Sequence, residues 1–171
     1  MIIFKKGNLF DSHCQTLVNT VNCNGIMGKG IALQFKQRYP EMFNEYKRVC
    51  SGKSYKGIGK LETGGDLWLY SYIDLYKKQN ILCFATKENW WNKSKLEYIE
   101  RGLKTFTEYY KLNNENDYHG PSRYFYENLN ITSIAWPKLG CTNGGLNWEY
   151  DVKPLMIKYL EDIDLINEIY E

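Results

Sequence analysis

A chain of 171 residues with 43% hydrophobic and 16% aromatic residues can bury a core without disulfide or metal support, which excludes a disordered chain. Its formal net charge of +2 makes no electrostatic case for wrapping nucleic acid and none against a local basic cleft. The five cysteines, Cys14, Cys23, Cys50, Cys83 and Cys141, are scattered without a CxxC pair and are accompanied by only two histidines, which argues against a disulfide framework and a zinc site. The N-terminus has its apolar residues before its lysines, the wrong order for a signal peptide, and no run approaches the roughly eighteen apolar residues of a membrane span. One cytoplasmic domain over residues 1–171 is expected, monomeric, with no cofactor, no bound metal and no membrane contact.

In chain order, residues 1–5 and 16–22 read as strands, 30–39 as a helix, 67–72 and 81–86 as strands, 94–112 as a helix, 131–136 as a strand and 148–160 as a helix. The helix at 94–112 has the clearest pattern: Leu96, Ile99, Leu103, Phe106 and Tyr110 share one face, and Ser94 and Glu97 have the spacing of a capping box. Residues 51–66, rich in Gly, Lys and Ser, read as a surface excursion, and no element is assigned to the polar, then aromatic stretch 113–130. The C-terminal residues 159–171 read as a helical, acidic run. The alternation of short apolar runs with helices predicts an α/β fold, helices packed on both faces of a mixed, largely parallel sheet.

Two stretches carry chemistry. In VNTVNCNGIMGKGIA, residues 18–32, a strand ends at Asn22, runs through Gly25, Gly28 and Gly30, and enters a helix. Free backbone N–H groups and a positive helix end favour an anion there, and glycine lets a phosphate approach the backbone. The pattern matches neither GxGxxG nor a Walker A loop, and a glycine-rich turn used only for packing is an equal reading. Residues 135–148, AWPKLGCTNGGLNW, repeat the grammar of strand, glycine-rich turn and helix. Two such loops at strand C-termini suggest a ligand with two phosphates, such as a nucleotide derivative.

With KGNLF (residues 6–10), residues 17–40, residues 84–103 and PKLGCTNGGLNW (residues 137–148) in this order, the chain resembles a macrodomain, the ADP-ribose-binding fold. The similarity is strongest to the branch of DarG-like DNA ADP-ribosyl glycohydrolase antitoxins and the animal terminal ADP-ribose protein glycohydrolase. It implies a three-layer α/β/α sandwich with the ADP-ribose diphosphate between the two loops. It further implies that Met27, Gly28, Lys29, Gly30 and Ile31 form the first phosphate loop and Gly140, Cys141, Thr142, Asn143, Gly144, Gly145 and Leu146 the second. Asn8 stands where the family usually has an acid for adenine, so its amide oxygen would accept from the adenine amino group as a neutral partner, with the Leu9 N–H beside it. Asn22 would face the distal ribose, or else only cap its own turn; Asn19, an odd number of residues away on the strand, is given no ligand role.

Glycosidic hydrolysis generally relies on carboxylates, yet neither loop has an Asp or Glu near its glycines. The resemblance implies a catalytic lysine instead, at Lys87, without the loop-two aspartate of the animal enzyme, whose place Gly144 takes. Lys87 would act as a nucleophile with a lowered pKa or as a cation stabilising the leaving group. Trp90 and Trp91 offer a stacking surface or pack as a lid. Cys23 and Cys141 read as packing residues rather than nucleophiles. The leading expectation is removal of a single ADP-ribose from a macromolecule, foremost thymidine-linked DNA. The alternatives are protein carboxylate esters, RNA ends, a non-catalytic reader and an ADP-ribose 1″-phosphatase. An ADP-ribosyltransferase toxin is the implied partner, and the chain is either a stand-alone hydrolase or one domain of a longer protein.

Overall fold

The computed structural model describes residues 1–54, 56–73, 78–114 and 131–171, the side chains of residues 113 and 114 excepted. Its central strands are buried because both of their faces are covered. In β5 (Lys78–Ala85) every residue after Lys78 is buried, and β2 (Thr16–Val21) is buried at all positions but one, the pattern of strands sandwiched between helical layers. Around them lie β1 (Ile2–Lys5), β3 (Ile58–Gly59), β4 (Leu67–Ile73), β6 (Ser133–Pro137) and β7 (Ile166–Tyr170), in the order β1-β7-β6-β2-β5-β4-β3. Pairing is parallel from β1 through β7, β6 and β2 to β5, and antiparallel from β5 to β4 and β3. The sheet is mixed and largely parallel, as the alternation of elements predicts.

Helices α1 (Gly30–Arg38) and α2 (Pro40–Cys50) cover one face, where Phe35, Met42 and Tyr46 meet Leu17, Val21, Trp68 and Ile81. Helices α3 (Leu96–Asn114) and α4 (Lys153–Leu160) cover the other, where Ile99, Leu103, Phe106 and Met156 meet Val18, Phe84, Ile134 and Trp136. This is the α/β/α sandwich. Helix α3 approaches the sheet through Gly102, where a Cβ would lie well under 3.0 Å from the buried Phe84 ring. The ring is fully buried, so Gly102→Ala is expected to destabilise by about 1–2 kcal/mol net, overpacking exceeding the gain in helix propensity. A lower urea midpoint at unchanged m-value would register it.

Five local expectations are corrected. Residues 166–170 form a strand, not the end of a helix: β7 is inserted between β1 and β6, with Asn167 N donating to Met1 O at 2.9 Å and Glu171 N to Lys5 O at 2.9 Å. Two-sided pairing overrides the acidic composition, and the buried Asn167 is satisfied by Trp136 Nε1 at 3.0 Å and Leu165 O at 2.9 Å. Helix α2 has no counterpart in the sequence reading, although Pro40 at its start and Met42, Tyr46 and Val49 on one face are the usual signals. The capping box is not made: α3 starts at Leu96, Ser94 Oγ is buried without a partner, and Ser94 N donates to Gly144 O at 3.0 Å. The helix at 148–160 opens with a π turn, Trp148–Val152, in which Val152 N donates to Asn147 O at 3.1 Å, ahead of Pro154 in the first turn of α4. Within 51–66, a surface excursion by sequence, Leu61 is nevertheless buried and Ile58–Gly59 forms the edge strand. Most of the stretch 113–130 lies outside the described residues.

Candidate functional site

The residues singled out from sequence gather along one edge of the sheet, where the parallel strands end. Asn8 follows β1, Asn22 and the first glycine loop follow β2, Lys87 follows β5, and the second loop follows β6. This is the edge at which open α/β sheets place ligands.

Asn22 is nearly buried, and its amide holds the turn that follows it. Its Oδ1 accepts from Asn24 N at 2.9 Å and Ile26 N at 3.4 Å, and its Nδ2 donates to Ile26 O at 2.7 Å. The Tyr46 hydroxyl lies 2.7 Å from Asn22 O and 3.0 Å from Oδ1; with one proton it donates to one of them. Turn capping therefore occupies most of this amide, and one N–H remains for a ligand. Tyr46 belongs to α2, whose signals are in the sequence, but nothing there marks its hydroxyl as a partner of Asn22. Asn19 is fully buried, with Nδ2 at 3.8 Å from Met27 Sδ and 3.9 Å from Cys83 Sγ.

Met27 is buried in the core, so only its backbone can meet a ligand, while Gly28, Lys29 and Gly30 are exposed and Ile31 is half-buried. Gly30 has φ +58°, a left-handed conformation that selects glycine, and no side chain caps the first amides of α1. In the second loop Leu146 N donates to Gly140 O at 3.1 Å and Gly145 N to Cys141 O at 3.2 Å, a compact turn whose exposed residues are Thr142, Asn143 and Gly145. The two loops touch: a Cβ on Gly30 would stand 2.6 Å from Asn143 Nδ2.

Lys87 reaches the same residue, its Nζ donating to Asn143 O at 3.1 Å. It is half-buried, and loss of hydration alone holds its pKa below the ordinary lysine value. The turn that carries it is clamped to the first loop. Cys23 N donates to Glu88 O at 2.8 Å, Trp90 N to Asn24 Oδ1 at 3.0 Å, and Asn24 Nδ2 to Asn89 Oδ1 at 3.0 Å. Asn24 is thus a positioning residue that the sequence did not mark. Burial pushes the Cys23 thiol up to about 12 and the Cys141 thiol up to about 11, so both are protonated at neutral pH.

At the far end of the edge, Asn8 Oδ1 accepts from Phe10 N at 3.1 Å, capping the 3-10 turn Leu9–Asp11, and Leu9 is buried. An adenine amino group would have to use the second lone pair of that oxygen. Among the described residues no group of three or more His, Cys, Asp or Glu could hold a metal ion, and no helix is long and apolar enough to cross a membrane.

Residues 18–154 match the family model described as Macro domain. The chain is 39% identical over 172 residues to a DNA ADP-ribosyl glycohydrolase of Mycobacterium tuberculosis (strain ATCC 25618 / H37Rv), covering 97% of this chain but 41% of that protein. It superposes on the solved macrodomain of Mycobacterium tuberculosis DarG with a TM-score of 0.79 at 38% identity, covering 99% of this chain and 97% of the other. On the structure of Thermosipho africanus DarTG in complex with ADP-ribose the TM-score is 0.77 at 30% identity, covering 99% of this chain and 41% of that one.

Proposed function

Because the chain belongs to the macro domain family, we propose that it binds ADP-ribose along the C-terminal edge of its sheet and hydrolyses the bond joining ADP-ribose to a DNA base, thymidine foremost. The name of the Mycobacterium tuberculosis relative and the ADP-ribose bound in the Thermosipho africanus complex support this reading. So does one observation in the chain itself: Asn143 of the second loop meets Gly30 of the first through its side chain and the amine of Lys87 through its backbone carbonyl.

From β1 to β5 the edge crosses four strand spacings, about 19 Å, a span that suits an elongated ligand. Asn8 and Leu9 take the adenine end. The backbone amides of Gly28, Lys29, Gly30 and Ile31, with that of Met27, and those of Gly140, Thr142, Asn143 and Gly144, which the turn's own bonds do not engage, hold the diphosphate, and the remaining N–H of Asn22 meets the distal ribose. The neutral amine of Lys87 attacks C1″ and the bond from C1″ to the base breaks. The base leaves with the electron pair and takes the proton the amine releases. Opening of the ribose ring gives an imine, which water hydrolyses, returning the amine and free ADP-ribose.

Such a reaction presupposes an ADP-ribosyltransferase that installs the modification, the implied partner. The direct test is release of ADP-ribose from an oligonucleotide carrying one ADP-ribosylated thymidine, beside an ADP-ribosylated RNA end and a glutamate ester. Release from the thymidine substrate alone or fastest is expected; preference for either other linkage overturns the DNA assignment.

A further inference from the structure

Of the five tryptophans, three are used by the fold: Trp68 and Trp136 are buried with their indole N–H groups bonded to Lys56 O and Asn167 Oδ1, and Trp148 donates to Glu171. The other two are not. Trp90 is 54% and Trp91 64% exposed, and among the described residues neither indole N–H has a hydrogen-bond partner. Their rings meet edge to face, with centroids 5.5 Å apart and planes at 88°.

Their place is defined by the reacting group. Trp90 lies three residues after Lys87, on the turn clamped through Asn24, so the pair is held beside the mouth of the cleft. Lys93, two residues after Trp91, runs within 3.8 Å of where a Cβ on Gly145 would lie, and among the described residues it is in no ion pair. Exposed rings followed by an unpaired ammonium group fit stacked bases joined by phosphates. The adenine of ADP-ribose is not the occupant in the placement above, since it lies toward β1, four strands away.

We propose that Trp90 and Trp91 form a strand-holding platform beside the ADP-ribose cleft, stacking the bases that flank the modified nucleotide of a single-stranded substrate. The proposal rests on the reading of a nucleic-acid-linked ADP-ribose given above. In a duplex both faces of a base are covered by its neighbours, so an indole can stack only on a base outside that stack. Perpendicular rings cannot lie parallel to two consecutive stacked bases, and so receive bases splayed apart.

The test compares wild type, Trp90→Ala, Trp91→Ala and the double variant on two substrates: ADP-ribosylated thymidine within a single-stranded oligonucleotide, and the free ADP-ribosylated nucleoside. Each indole is expected to be worth about tenfold in kcat/KM on the oligonucleotide, carried mainly by KM. The nucleoside should be turned over unchanged, and Trp90→Phe and Trp91→Phe should keep most of the activity. Equal losses on both substrates would mean that the rings only shape the cleft, and no loss on either would leave the patch to a protein partner; each result overturns the platform. Binding of an unmodified single-stranded oligonucleotide, followed by anisotropy and tryptophan quenching, reads the platform without hydrolysis. If the wild type cleaves neither substrate yet binds the strand through the indoles, the hydrolase reading fails and the platform stands. Tryptophan-independent binding, or none, removes the platform.

Discussion

Lys87→Ala is expected to slow release of ADP-ribose from the thymidine substrate by about 10³-fold or more while changing ADP-ribose affinity by less than about tenfold. The asymmetry follows from where the side chain is anchored. Its protein contact is the carbonyl of Asn143, whereas the loops are shaped by their own backbone bonds and by Asn22, so removing the amine leaves the ligand cradle in place. Loss of binding equal to loss of rate would mean that the lysine supports the cradle instead. Lys87→Arg sharpens the experiment, because it keeps a cation and hydrogen-bond donors but supplies no nucleophile at accessible pH. Near-wild-type rates for Arg would assign Lys87 an electrostatic role. The pH profile offers a second check with a definite sign. A nucleophilic amine must be neutral, so kcat should rise with pH and level off above the pKa of Lys87, which loss of hydration places below the ordinary 10.5. A cation stabilising the leaving group would give the opposite slope over the same range.

What sequence could reveal about this site divides along the distance between interacting residues. The glycine loops were legible because their grammar is local: a strand end, glycines where a left-handed φ or close approach is needed, then a helix start. Lys87 was legible as the residue just beyond a buried apolar strand, once the order of motifs gave that strand a family. The clamp was not. Asn24 reaches Asn89 and the Trp90 amide across more than sixty residues, and nothing in NCNG distinguishes it from Asn22. Tyr46 supports Asn22 from a helix whose signals were present but not assigned. The short, acidic sequence of β7 carries no strong period, and parallel pairing with β1 at the other end of the chain supplies what the local pattern lacks. Ser94 failed differently: its spacing to Glu97 is that of a cap, but its backbone N–H supports the Gly144 carbonyl and its hydroxyl is packed beneath the second loop.

That last contact leads to the second large effect. Gly144→Asp, which would install an acid at the loop-two position, is expected to reduce ADP-ribose affinity at least about tenfold and not to raise the rate. A Cβ at Gly144 would lie well under 3.0 Å from both Gly140 O, a backbone atom, and the buried Ser94 Oγ. Gly140 O already accepts from Leu146 N at 3.1 Å, and Ser94 is held by its N–H to Gly144 O at 3.0 Å. Any side chain there forces the turn open and displaces Asn143, the residue on which Gly30 and Lys87 converge. The obstruction is steric before it is electrostatic, so Gly144→Ala should show most of the same loss, with about 1–3 kcal/mol of destabilisation from overpacking. Calorimetric titration with ADP-ribose, beside the melting temperature of each variant, separates the two effects. If the obstruction is as described, Ser94→Gly in the Gly144→Ala background recovers only part of the affinity, since it removes one obstacle and leaves the Gly140 carbonyl. An aspartate variant that binds normally and cleaves faster would show instead that this loop yields readily, and that a lysine without a carboxylate partner is not imposed by its packing.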